Sequence, residues 1–143
     1  MKDIFLREIM IAEVITAHIE DTLSEVEEKF RANGIRHVPV VDDKNRIIGI
    51  FTRNDLARCL APHRTEEGDY VYDPDEMDRF ILKYVMTKNP KTLRPEDTLK
   101  HAVDIMAREK YGCIPIVKPD GTLAGIVSQI DVMRFISNSF REA

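Results

Sequence analysis

The chain states one pattern twice. Shifted against itself by 76 positions, it aligns Met10 with Met86 and Glu20-Asp21-Thr22-Leu23 with Glu96-Asp97-Thr98-Leu99. The same shift pairs Pro39 with Pro115, Gly49-Ile50 with Gly125-Ile126, and Asp55 with Asp131, with no gap from Ile4 to Ile136. A recurrence this long marks a repeated supersecondary unit. Two similar halves are expected to pack about a pseudo-twofold axis, so a cleft between them comes as a related pair.

The copies span residues 4–60 and 80–137, each near the size at which an isolated core is marginal. They are therefore expected to share one compact module in the 143-residue chain. Residues 61–79 have no counterpart and carry Glu66, Glu67, Asp69, Asp73, Asp75, Glu76 and Asp78 against Arg64 and Arg79. A solvated acidic connector is the expected reading, with a partner-binding or metal-attracting loop as the alternative. Such a loop can draw Mg²⁺, but a site needs convergent oxygens that a flexible segment seldom supplies.

The net charge of −4 disfavours nucleic-acid binding and leaves no basic footprint for a membrane surface. No run nears the roughly 20 apolar residues that span a bilayer. The charged start, Met1 to Met10, is unlike a secretory signal, so a cytoplasmic protein is expected. Cys59 and Cys113 lack C-x-x-C spacing and are expected as buried thiols.

Within copy one, Thr22 followed by Glu25 predicts a capping box, with Leu23, Val26 and Phe30 on one helical face and Gly34 as a left-handed stop. Ile35 to Val41 and Ile47 to Phe51 read as strands around the turn Asp42 to Asn45. Thr52 then opens a helix with Leu56 and Leu60 inward. Copy two repeats the order, with Leu99, Ala102, Val103 and Met106 lining its first helix and Lys118-Pro119-Asp120-Gly121 as the turn. Pro39 and Pro115 predict a first strand that is short or at a sheet edge. A lead-in helix is expected before each copy, around Ile4-Phe5-Leu6 and Phe80-Ile81-Leu82. The second has a start signal at Asp73-Pro74 with Glu76.

These residues carry a resemblance. Gly34-Ile35-Arg36-His37-Val38-Pro39-Val40-Val41 with Gly49-Ile50-Phe51-Thr52-Arg53-Asn54-Asp55, and Tyr111-Gly112-Cys113-Ile114-Pro115-Ile116-Val117 with Gly125-Ile126-Val127-Ser128-Gln129-Ile130-Asp131, resemble a tandem pair of CBS domains. The family is named after cystathionine β-synthase. The resemblance implies an α/β (α+β) fold of two pseudo-symmetric β-α-β-β-α repeats packed through their sheets. It also implies a regulatory module, not an enzyme, whose clefts take adenosine compounds such as AMP, ADP, ATP or S-adenosylmethionine.

By that resemblance one cleft uses Ile15, Thr16, Ile35, Arg36, His37 and Pro39 with Ser128 and Asp131. The other uses Lys91, Thr92, Tyr111, Gly112, Cys113 and Pro115 with Thr52, Arg53 and Asp55. The T/S-x-x-D hydroxyl lies near the phosphate and the aspartate takes the ribose diol. A carboxylate can accept from both ribose hydroxyls, and a helix start offers donors to phosphate. Alternatives stay open: the same spacing is a plain N-cap signature, Arg36 can pair with the acidic connector, and His37 can be a satisfied strand histidine.

No Walker A loop, G-x-S-x-G, G-x-G-x-x-G or H-E-x-x-H occurs, and His18, His37, His63 and His101 show no metal-ligand spacing. A non-enzyme without resident cofactor or metal is expected. The reading is a homodimeric adenine-nucleotide sensor (AMP, ADP or ATP) that signals to an unknown target protein. Its rivals are a scaffold with unused clefts and a sensor of S-adenosylmethionine or NAD(H). Leu56, Leu60, Val132, Phe135, Ile136, Phe5 and Phe80 are the expected apolar contributors to a dimer face.

Overall fold

A computed structural model describes residues 2–142. The chain divides into two compact units. One comprises Ile15–Asp43 and Ile48–Asn89; the other comprises the residues up to Val14, Lys44–Ile47, and those from Pro90 onward. Both mix helices and strands.

The first unit begins with β1 (Ala17–His18) and α1 (Leu23–Asn33). Thr22 and Glu25 form the expected capping box, and Gly34 ends α1 at φ 61°. Leu23, Val26 and Phe30 are fully buried, and Phe30 stacks on Phe51 with ring centroids 6.4 Å apart. Burying each such side chain contributes about 1.5–3 kcal/mol. β2 (His37–Val41), β3 (Ile47–Thr52) and α2 (Arg53–Cys59) follow, with Leu56 buried. The connector is not featureless: β4 (His63–Arg64) and β5 (Tyr70–Val71) pair antiparallel, and α3 (Pro74–Met77) follows. α4 (Leu82–Val85) and β6 (Thr87–Lys88) complete the unit, whose sheet runs β1-β2-β3-β6.

The Asp73 signal opens α3, where its side chain accepts from the Asp75 N–H, and not the lead-in helix. That helix, α4, starts at Leu82 with no side-chain cap. The reason is local: α3 ends after one turn, and Ile81 is held in an isolated bridge with Thr22.

The second unit holds a 3-10 helix (Leu6–Glu8), α5 (Leu99–Glu109), β7 (Cys113–Val117), β8 (Leu123–Ser128) and α6 (Gln129–Glu142). Thr98 caps α5 by accepting from the His101 N–H, and Gly121 takes φ 88° in the predicted turn. Along α5, Ala102, Ile105 and Met106 are buried, whereas Val103 is 38% exposed. Reading Val103 as inward is thus corrected: the buried face runs through 102, 105 and 106, and 103 lies a quarter-turn off it.

Sequence repeat and structural unit do not coincide, because the lead-ins are exchanged. The lead-in of copy one builds onto copy two: the Leu6 N–H donates to Asp97 O (2.8 Å), and Ile11 and Ile126 exchange both backbone bonds (2.9 and 3.0 Å). Copy two's lead-in builds onto copy one: the Leu82 N–H donates to Asp21 O (2.9 Å), and β6 pairs with β3 through Ile50↔Thr87. Leu6 and Leu82 are fully buried, so each exchanged segment is anchored by one leucine.

The proline expectation holds locally: each proline nitrogen faces a side of its strand where the parallel partner has not yet begun, although both strands are flanked on both sides further along. β2 is an interior strand of its sheet, and β7 is flanked by β8 and by Leu93. The Leu93 N–H donates to Pro115 O (3.1 Å) and the Val117 N–H to Leu93 O (2.8 Å). The proline nitrogen therefore falls beyond the start of this short parallel ladder, where no acceptor is needed. In copy one the parallel register begins at Ala17↔Val40, one residue after Pro39.

Candidate functional site

Each unit assembles its share of the expected site residues from one copy. In the first unit, Ile15 and Thr16 lead into β1, Ile35 and Arg36 follow the left-handed Gly34, and His37 and Pro39 lie on β2. The Arg53 N–H donates to Arg36 O at 2.8 Å, so the helix start at Thr52 sits against the entrance of β2. In the second unit Lys91 and Thr92 precede Leu93, Tyr111 and Gly112 precede β7, and Cys113 and Pro115 lie on it. The corresponding bond runs from the Gln129 N–H to Gly112 O at 2.9 Å.

The two T/S-x-x-D segments have the same geometry. The Asp55 N–H donates to the Thr52 hydroxyl oxygen (3.1 Å), and the Thr52 N–H donates to Asp55 Oδ2 (2.9 Å). For Ser128 and Asp131 the distances are 3.1 and 2.8 Å. The N-cap reading therefore holds in both copies. Capping also fixes the carboxylate rotamer through one oxygen, which leaves Oδ1 as an acceptor. In copy one Oδ1 of Asp55 has Arg58 Nη1 at 3.4 Å, a long contact.

The copies differ in charge and in how it is held. Arg53 lies over the Phe30 ring, its Cζ 5.3 Å from the centroid, and Arg36 is exposed. Neither is paired with a carboxylate among the described residues, so the pairing of Arg36 with the connector is not what the structure has. The equivalent of Arg53, Gln129, is tied down: its Nε2 donates to Tyr111 O at 3.1 Å.

Three contributors escaped the sequence. Lys29 donates to the Thr16 carbonyl (2.7 Å) and reaches Asp21 (3.4 Å), fixing the segment before β1. Phe30 supports the Arg53 guanidinium, and Arg58 faces Asp55. Only the i,i+3 spacing of Asp55 and Arg58 was a usable signal. Cys113 is buried and Cys59 half-buried; burial, then the nearby Asp55 charge, pushes the Cys59 thiol pKa up. No helix among the described residues is long and apolar enough to cross a membrane.

Comparison with known proteins agrees with this architecture. Inosine-5'-monophosphate dehydrogenase of Korarchaeum cryptofilum is 34% identical over 131 residues, which are 92% of this chain and 24% of that enzyme. The chain spans between 24% and 61% of the length of this and two further curated relatives. Two solved structures share the fold. CBSX2 in complex with AMP has a TM-score of 0.77 at 18% identity, covering 94% of this chain and 97% of that one. The CBS domain pair of MJ0100, in complex with 5'-methylthioadenosine and S-adenosyl-L-methionine, has a TM-score of 0.77 at 23% identity, covering 96% and 99%. The CBS domain profile itself matches twice, at residues 6–62 and 82–138, and the chain belongs to the CBS domain family as a tandem pair.

Proposed function

We propose that this CBS pair senses a phosphorylated adenosine ligand, AMP, ADP or ATP, and passes its occupancy to a target protein. A CBS pair is a regulatory and not a catalytic module, and CBS pairs of the same fold hold AMP in one case and 5'-methylthioadenosine with S-adenosylmethionine in another. The observation that carries the reading is the matched pair of capped aspartates. Asp55 and Asp131 are each locked by one oxygen and offer the other to a ribose diol. Thr52 and Ser128 stand at helix starts, where the dipole favours phosphate.

Arg36 and Arg53 incline the choice toward phosphate. A guanidinium presents a planar donor fork to phosphate oxygens and gains nothing from the sulfonium of S-adenosylmethionine. The remaining proposed contacts are Ile15, Thr16, Ile35, His37 and Pro39 in one unit, and Lys91, Thr92, Tyr111, Gly112, Cys113 and Pro115 in the other. The ligand acts by shifting the population of a pre-existing arrangement, to the extent of its differential affinity.

A thermal-shift screen against AMP, ADP, ATP, NADH and S-adenosylmethionine tests the reading. Stabilisation grows as RT ln(1 + [L]/Kd), about 2.7 kcal/mol at a hundredfold excess over Kd. No shift with any ligand at millimolar concentration supports the rival reading of a constitutive scaffold. Under that rival the capping bonds give both aspartates a structural role without a ligand.

A further inference from the structure

The connector has almost no core. Among its described residues, 61–79, only Met77 is buried, and a hairpin with two-residue strands is marginal by itself. Yet three side chains from separate pieces of it converge. His63 on β4, Asp73 ahead of α3 and Glu76 within α3 each bring a potential ligand atom within 4.8 Å of the others. His63 Nε2 and Glu76 Oε2 stand 3.7 Å apart, too far for a hydrogen bond. That gap is close to the ~3.4 Å between two ligands held at about 2.1 Å by one tetrahedral ion. Asp73 is oriented by accepting the Asp75 N–H on Oδ1 (2.9 Å), and its second carboxylate oxygen remains. His63 and Glu76 also line a recess of about 440 Å³ with Leu60, Arg79 and Phe80, which gives water ligands room.

We propose that His63, Asp73 and Glu76 form a site for a divalent transition ion of the zinc class, which fastens the β4–β5 hairpin to α3. An imidazole with two carboxylates suits zinc and its neighbours. Magnesium prefers near-ideal octahedral oxygen sites and sheds water reluctantly, so a histidine-containing trio suits it poorly. The site is separate from the adenosine-binding residues proposed above. It would stabilise the connector because a coordinated ion adds a cross-link where burial is missing.

Calorimetric titration of the full chain with zinc chloride tests the site. One ion per chain at micromolar affinity is expected, weakened about tenfold or more in both His63→Ala and Glu76→Gln. His101→Ala, on α5 in the other unit, is expected to bind as the parent does, and a loss there as large as in the site variants overturns the site. Both site variants alter exposed or half-buried side chains, and circular dichroism checks that each remains folded. Absence of binding at millimolar zinc, or parental affinity in both variants, overturns the site. Magnesium binding as tightly as zinc overturns the choice of ion. Hydrogen exchange of the amides in 61–79 reads the fastening role: slowing on zinc addition supports it, and unchanged exchange overturns it.

Discussion

Met86 crosses Gly49 so closely that a Cβ added at the glycine would stand 2.4 Å from the methionine Sδ and 2.9 Å from Thr87 O. Met10 and Gly125 repeat the relationship in the other unit, at 2.7 Å from Sδ and 2.9 Å from Ile11 O. Real Cβ atoms do not approach neighbours so closely, so the glycines admit the lead-in backbone at the sheet edge. The Gly-Ile recurrence at 49–50 and 125–126 thus reports where each exchanged segment docks.

Gly49→Ala is expected to destabilise the chain by about 1–3 kcal/mol, the range for overpacking a well-packed site. Gly125→Ala should cost a similar amount. Gly112 has nothing within 4 Å of an added Cβ and no positive φ, so Gly112→Ala is its control. It should change stability by no more than about 0.5 kcal/mol. Urea denaturation of the three variants decides, and equal midpoints for all would remove the docking role from Gly49 and Gly125.

Lys110 closes α5 in the left-handed conformation, φ 61°, where Gly34 closes α1 with the same angle. A side chain there costs roughly 1–2 kcal/mol that glycine avoids, partly offset by glycine's larger unfolded-state entropy. Lys110→Gly is expected to raise stability by about 0.5–1 kcal/mol, and Gly34→Ala to lower it by about 1 kcal/mol. A lower melting temperature for Lys110→Gly would contradict this account of the cap.

The two cases explain what was readable beforehand. Local signals were legible: the Thr22–Glu25 box, the Gly34 stop, the Pro119-Asp120-Gly121 turn and the β-rich run that becomes β2. The family's pattern named Thr52, Asp55, Ser128 and Asp131, and their capping geometry follows from spacing alone. Exchange of the lead-ins was not legible, because either docking satisfies the same Met-and-Gly pattern in a repeat. The dimer reading also shifted. Leu56 and Val132 are buried and Leu60, Phe5, Phe80, Phe135 and Ile136 half-buried, leaving Ile130 (56%), Met133 (61%) and Phe140 (76%) exposed along α6.

Those three residues are the apolar surface on which a homodimer is expected to form. Light scattering of the chain should return about twice 16.5 kDa at micromolar concentration. Met133→Glu should shift the mass toward the monomer while leaving the fold intact, since the position is exposed. A monomeric parent at every concentration would end the expectation.

Asp55 and Asp131 separate capping from ligand binding. Removing a carboxylate from the first turn costs about 0.3–1 kcal/mol of stability through the helix dipole. If the same groups hold a ribose diol, each Ala variant also loses a charge-assisted bond of roughly 1.5–3 kcal/mol, about ten- to a hundredfold in affinity. Asp131→Ala should show the larger binding loss, because Oδ1 of Asp55 is already shared with Arg58. Calorimetry with AMP on both variants checks this. Unchanged affinity in both assigns the aspartates to capping alone.

Arg36 is the residue through which the proposed ligand class is tested. It is exposed at the entrance of β2, its backbone carbonyl is held by the Arg53 N–H at 2.8 Å, and Arg53 rests on Phe30. Two guanidinium groups thus stand on copy one, where copy two has Gly112 and a Gln129 bonded to Tyr111 O. Arg36→Ala is expected to weaken AMP or ATP about tenfold or more while sparing adenosine, as loss of a charge-assisted bond requires. The difference should shrink as salt is raised, because the group is solvent-exposed and screened. Equal losses for adenosine and AMP would make Arg36 a shaping residue and not a phosphate reader. Tighter binding of S-adenosylmethionine than of any nucleotide would reverse the choice of ligand, since a sulfonium has no use for a guanidinium partner.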